Sequence, residues 1–260
     1  MPKFTHLLKP IFVALFLCIV IQVNSQPLGA QQRSFAIREG LSGGFDFGLA
    51  AKGNHFSPSL VYYELTPVTK SKTIFLGWTA RVSAFYGNDL NYYTAPARLT
   101  RVENIDTVRF GRLSQTSLNL GIRGEWNLGR LQLGASVDLL GFTFLGRSRI
   151  GRVYSSTGLF SQTDSLGQDV QKSFQGPDAF QAASPTRLNV KLLGAHDRGM
   201  LTTEVYARMY FGPSIALKVG YQWLTTEMAL NNRDQVANND RFRHRAGLPY
   251  VALTLPLNPW

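Results

Sequence analysis

The chain has 260 residues, 44% of them hydrophobic, and its mean hydropathy of −0.07 excludes wholesale disorder. Charged residues make up only 17%, below the roughly 25% of ordinary soluble domains, and 27 Lys and Arg against 16 Asp and Glu give a net charge of +11 that favours anionic partners. The one cysteine excludes an internal disulfide framework and a cysteine-ligated metal cluster.

Residues 1–25 are set apart from the rest. Lys3 and Lys9 precede an apolar run over residues 11–23, followed by Asn24 and Ser25. This is the layout of a secretory signal peptide, and the run is shorter than the roughly 20 residues that a spanning helix needs. Cleavage before Gln26 removes both lysines and Cys18 and leaves residues 26–260 as a thiol-free domain with a net charge of +9, against +11 for the whole chain.

Within residues 26–260 the hydrophobic period is two. Candidate strands cover residues 42–50, 60–66 and 74–86. In the last of these Ile74, Leu76, Trp78, Ala80, Val82, Ala84 and Tyr86 oppose Phe75, Gly77, Thr79, Arg81, Ser83 and Phe85. That length suits a tilted membrane-crossing strand, which needs about 9–11 residues. Alternation returns at Leu118, Leu120, Ile122, Gly124 and Trp126 against Asn119, Gly121, Arg123 and Glu125, then over residues 131–139 with Gln132, Gly134, Ser136 and Asp138 on the polar side. Less regular residues 188–193 follow. Residues 201–211, 215–223 and 251–257 then alternate strongly, with Glu204, Arg208 and Lys218 among their polar positions.

Connections come in two sizes. Residues 67–72, 127–130, 195–199 and 212–214 are short, whereas residues 87–112, 146–185 and 231–247 are long. Short turns at one end and long loops at the other are the asymmetry of an outer-membrane barrel. Nine strands are legible. Even parity asks for one more, placed at residues 150–160, so an all-β, up-and-down antiparallel transmembrane barrel of about ten strands is expected, with eight possible on merging or discarding a weak strand.

A soluble barrel of lipocalin type also alternates. The polar faces here mix Asp46, Glu64, Glu125, Asp138 and Glu204 with Arg81, Arg123, Lys191, Arg208 and Lys218, amid Gly, Ser, Thr, Asn and Gln. Balanced charge among small residues fits a barrel interior, so these ten residues are expected to form an ion network in a closed polar lumen. Phe75, Phe85, Leu140, Phe142, Phe144 and Leu193 on the same faces suggest occlusion or a narrow apolar pocket.

The alternating strands, the segment from Tyr206 to Tyr221 and the terminal Trp260 together resemble small outer-membrane β-barrel proteins of Gram-negative bacteria, particularly the barrel families of Bacteroidota-like organisms. The resemblance covers about residues 34–257. It implies location in the outer membrane, contact with outer-membrane lipid and insertion by the outer-membrane assembly machinery. Family barrels end in an aromatic residue in phase with the last strand, whereas Trp260 follows Pro259 and is out of phase with Leu253, Leu255 and Leu257.

Arginines crowd the long loops: Arg98, Arg101, Arg109 and Arg112, then Arg147, Arg149 and Arg152, then Arg233, Arg241, Arg243 and Arg245. Guanidinium groups suit phosphate and carboxylate. Of these, Arg98, Arg101, Arg147, Arg149, Arg152, Arg241, Arg243 and Arg245 are expected to hold lipopolysaccharide phosphates, an anionic polymer or another envelope protein, or to be solvated loop charge. Barrel enzymes such as lipid A deacylases and outer-membrane phospholipases use His with Ser. Here His55, His196 and His244 fall in expected loops or turns without a Ser/His or metal-ligand spacing, so neither catalytic residues, metal nor cofactor is expected. Gly40-Leu41-Ser42-Gly43-Gly44 lacks a phosphate-loop Lys, and no nucleic-acid module is present. The expected role is a structural or ligand-binding surface protein, the alternatives being a narrow passive channel or a lipid-modifying enzyme.

Overall fold

A computed structural model describes residues 42–95, 105–192, 196–212, 214–232 and 240–257. The expected signal peptide, Arg98, Arg101, Leu193 and Trp260 lie outside the described residues. Thirteen strands follow in order: β1 (Ser42–Lys52), β2 (His55–Pro67), β3 (Ile74–Thr94), β4 (Thr107–Leu128), β5 (Leu131–Gly146), β6 (Arg149–Tyr154), β7 (Leu159–Thr163), β8 (Asp169–Ser173), β9 (Phe180–Pro185), β10 (Leu188–Val190), β11 (Leu201–Tyr210), β12 (Ala216–Leu230) and β13 (Arg241–Pro256).

The ring follows from the pairings. Strands β1 to β5 pair successively, β5 pairs with β11, β11 with β12, β12 with β13, and β13 returns to β1 through Gly44↔Pro256 to Ala50↔Tyr250, all antiparallel. An eight-stranded barrel therefore closes without a free edge. Among the described residues no helix is long and apolar enough to cross a membrane, which says nothing of strands.

Eight is the smaller of the two strand numbers the sequence allows. Residues 150–160 do not form a wall-crossing strand. Instead β6 joins only the upper end of β4, at Thr107↔Tyr154 to Arg109↔Arg152, and pairs with β9 on its other side. Strand β10 runs antiparallel to β5 at Leu140–Phe142, just above the stretch of β5 that β11 occupies. The two are halves of one wall strand, which the chain leaves after Val190 and rejoins at Leu201.

Turn chemistry accounts for the tight lower end. Asn127 Oδ1 accepts the Gly129 N–H at 3.0 Å, and Gly129 has φ +85, a conformation that L side chains resist. The two-residue Gly129–Arg130 turn of β4 and β5 rests on that glycine.

Above the β1–β2 tip the wall changes its membership. β3 and β4 are 21 and 22 residues long and outrun β1 and β2, so β3 pairs with β13 directly, Tyr93 opposite Arg243 and Thr94 opposite Phe242. With β4–β6, β6–β9, β9–β12 and β12–β13 pairings, a second, six-stranded ring stands on the first. Segments expected as loops are thus largely strand. Strands β7 and β8 form a separate hairpin, which contributes Phe160 and Phe174 to the upper core.

One bulge decides which side chains face inward. Leu120 pairs with Leu140 but Gly121 pairs with Asp138, leaving Leu139 as an extra residue. An inserted residue reverses every later side chain in a period-two strand. Leu140, Phe142 and Phe144, expected inside, consequently face outward and are exposed, whereas Phe75 and Phe85 are buried as expected.

Candidate functional site

The lower interior holds a single ion network. Asp46 on β1 accepts Arg123 at 2.8 Å and Lys218 at 3.0 Å, with Arg208 at 3.6 Å. Arg123 and Arg208 also meet Glu125 at 2.7 and 2.9 Å. Lys218 reaches Glu204 at 2.5 Å, Arg81 reaches Glu204 at 3.1 Å, and Arg81 ends the chain on Asp138 at 3.1 Å. Four cations and four anions are thereby linked, all buried. Alternation places them: Asp46, Arg81, Arg123, Asp138, Glu204, Arg208 and Lys218 sit on inward positions of six different strands, and Glu125 follows Arg123 two residues on.

Three tyrosines complete this layer. The Arg123 guanidinium lies 4.1 Å from the Tyr63 ring centre, and the Lys218 ammonium 3.8 Å from Tyr206 and 5.2 Å from Tyr250. Tyr206 donates to Glu125 at 2.6 Å. Glycines make room for the rings: a Cβ on Gly44 would lie 2.7 Å from the Tyr63 hydroxyl, and one on Gly134 would strike the Tyr206 ring.

Two expected members stand elsewhere. Glu64 is on the outer face of β2, where Tyr62 donates to one carboxylate oxygen and Trp78 Nε1 to the other at 3.1 Å. The inward positions of β2 are Val61, Tyr63 and Leu65, so the sequence phase was set one residue off in a strand whose two faces are both apolar. Lys191 lies in the excursion between β10 and β11 and pairs with Asp197 at 2.8 Å. It is separated from the network because the wall strand breaks after Val190.

Above the ions the interior becomes apolar. Phe85, Tyr92, Phe110, Met228, Phe242 and Leu248 belong to one buried cluster. The apolar residues share this upper part with the buried Thr226, Glu227 and Arg243. On the outside the pattern is reversed: Phe47, Val82, Leu120, Ile122, Val205, Met209, Val219, Trp223 and Leu253 are exposed large apolar residues on the wall strands.

The arginines expected in loops divide differently. Arg241 and Arg243 lie on β13, and both pair with Glu227, at 2.8 and 3.1 Å. Both also donate to the Asp197 carbonyl. They are thus structural ion pairs on a strand rather than free loop charges. Arg149 and Arg152 lie on β6, with the exposed Arg152 flanked by the Tyr154 and Phe180 rings at 5.1 and 5.9 Å. Arg147 and Arg245 are exposed.

A cleft of about 1320 Å³ opens where β3 and β13 converge above the β1–β2 tip, lined by Lys52, His55, Asn91, Arg243, His244 and Arg245 among others. His55 and His244, expected in loops, are on β2 and β13. Their Nε2 atoms are 2.8 Å apart. His244 Nδ1 lies 2.9 Å from the Asn91 carbonyl. Separated by 189 positions in the chain, they give no sequence signal of their meeting; only the β3–β13 convergence above a short hairpin produces it. Among the described residues no group of three or more His, Cys, Asp or Glu is placed to hold a metal.

No protein-family model and no curated protein matches this chain. Among solved structures, the CymD monoaromatic hydrocarbon channel aligns over 90% of this chain and 94% of its own, with 8% identity and a TM-score of 0.20, a likeness too slight to carry an argument.

Proposed function

We propose that this chain is an exported outer-membrane β-barrel whose interior is closed and whose work is done at its surface, as a structural protein or a binder of anionic ligands. The observation that supports this reading is the inverted wall: four buried cations and four buried anions inside, and apolar side chains such as Leu120, Ile122, Val205 and Val219 exposed outside. In water that outer surface is an aggregation hazard; against hydrocarbon it is the favourable solvent match. Insertion by the outer-membrane assembly machinery follows from this reading.

Anionic partners, lipopolysaccharide phosphates foremost, meet Arg147, Arg152 and Arg245, the candidate arginines exposed among the described residues once Glu227 has taken Arg241 and Arg243. Two measurements test the proposal. Reconstituted in planar bilayers the protein passes no unitary current, because both interior layers are filled; stepwise conductance makes it a channel instead. Replacing Arg147, Arg152 and Arg245 by Gln lowers the lipopolysaccharide retained through purification, and unchanged retention removes the anionic-ligand role.

A further inference from the structure

Between the β1–β2 tip and the upper ring the wall has a window. Going up, β13 parts from β1 above Tyr250 and β3 parts from β2 above Gly87, yet the two do not pair until Arg243 meets Tyr93. Residues 244–249 of β13 and 89–92 of β3 therefore face a gap, and the rings of His55 and His244 stand in it. Phe85 lies 6.0 Å from the first ring centre and Tyr92 5.4 Å from the second, so the pair rests on the apolar core while lining the cleft. Each Nδ1 is at a backbone carbonyl, 3.1 Å for His55 on Lys52 and 2.9 Å for His244 on Asn91. A carbonyl oxygen only accepts, so both Nδ1 atoms carry hydrogen. The Nε2 atoms are 2.8 Å apart, a hydrogen-bond distance that requires a further proton between them. With one proton on each Nδ1 and one shared, the pair carries a single positive charge.

No acid lining the cleft offsets that charge. Asp89 is taken by Arg109 at 2.6 Å, and Glu227 serves Arg243. Lys52 and Arg245 add two more cations to the lining, neither in an ion pair among the described residues. A half-buried cation without a counter-ion is costly, so an anion completes the site. Its height on the wall narrows the choice. Phe56 and Tyr86, paired across β2 and β3 with ring centres 6.0 Å apart, are both exposed. Above them the exposed positions begin with Lys52 on β1, Asn88 on β3 and Arg245 on β13. Exposed aromatics over an apolar band mark the headgroup level of a membrane barrel, and the end opposite the tight Gly129–Arg130 turn is its external one. We propose that the window seats the phosphate of an outer-leaflet lipid, bound by Lys52 and Arg245 and by the charge of the imidazole pair. Lys52 and Arg245 donate the hydrogen bonds; the pair, whose N–H groups are all engaged, contributes charge alone. A phosphate monoester brings up to about two negative charges, a better match for three cations than one carboxylate. The inference deepens the proposed surface role and rests on the membrane reading.

The test uses the full chain folded in neutral detergent, bisphosphorylated lipid A as the probe, and native mass spectrometry to count the lipid retained. Arg147→Gln and Arg152→Gln are introduced together first, to remove the other candidate contacts. The resulting protein still holds one lipid A. Adding Lys52→Gln or Arg245→Gln, both at exposed positions that leave folding intact, weakens that binding at least about tenfold, as expected for loss of a hydrogen bond from a charged group. Lys52→Arg keeps it, and lipid A stripped of both phosphates is not retained. Undiminished binding in Lys52→Gln and Arg245→Gln, or equal retention of the stripped lipid, overturns the window site. If lipid A is instead lost with Arg147→Gln and Arg152→Gln alone, the window fails while the broader anionic-ligand reading stands; if the unaltered protein holds none, both fail. Inorganic phosphate that displaces lipid A at equal concentration overturns the lipid source and makes the ligand a free anion.

Discussion

Replacing Asp46 by Asn removes one carboxylate from the centre of the buried network while keeping its shape. Asp46 is within 2.8 Å of Arg123 and 3.0 Å of Lys218, and it accepts Thr254 Oγ1 at 2.6 Å. Without its charge, Arg123, Arg208 and Lys218 share only Glu125 and Glu204, so four buried cations face three buried anions. Removing one partner of a buried ion pair costs about 3–5 kcal/mol, because the orphaned charge stays desolvated. At a slope of about 2 kcal/mol per M, the urea midpoint falls by roughly 1.5–2.5 M. Equilibrium unfolding in lipid vesicles, followed by tryptophan fluorescence, reads this directly, since Trp78, Trp126 and Trp223 all lie on the outer wall. Adding Lys218→Met restores the balance and recovers part of the loss, a non-additivity expected of groups in direct contact. A midpoint shift below about 0.5 M, or strictly additive losses, refutes the reasoning that these charges act as one unit.

The outer wall and the tyrosine seats give two further predictions. Leu120→Arg puts a cation on the apolar outer face, where the residue is 51% exposed; in a bilayer this costs about 2–4 kcal/mol near the midplane, measured as lowered folded yield and urea midpoint in vesicles, whereas a change within about 0.5 kcal/mol marks that face as solvated. Gly134→Ala drives a methyl group into the Tyr206 ring and lowers stability by about 1–3 kcal/mol. Gly111→Ala, where a Cβ meets nothing within 4 Å, is the control, and an equal midpoint in both variants shows that Tyr206 does not need its seat.

The strands of strict alternation were legible from sequence, and with them most of the ion network. Arg81 in β3, Arg123 and Glu125 in β4 and Arg208 in β11 sit where period two puts them. Where both faces of a strand are apolar the phase carries no such signal, and Glu64 beside Tyr62, Tyr63 and Leu65 was assigned to the wrong side. Leu139 shows a different loss of information: a bulge inserts one residue without altering composition, and Leu140, Phe142 and Phe144 change faces with it. The lumen places of Tyr63 and Tyr206 carry no local signal, because their seats, Gly44 for Tyr63 and Gly134 for Tyr206, are across the strand pairing rather than nearby in the chain. The upper ring and the His55–His244 contact depend on β1 and β2 ending early while β3 and β13 continue. That is a relation between strand lengths, invisible to any local pattern.

The most direct test of an inverted barrel in a membrane is gel mobility of the cell's outer-membrane fraction, unboiled against boiled. A closed barrel whose apolar wall binds detergent stays folded until heated. The account predicts that the protein is found in that fraction and runs as a compact form which shifts on boiling. Recovery in the soluble periplasmic fraction, with a single mobility before and after heating, contradicts it.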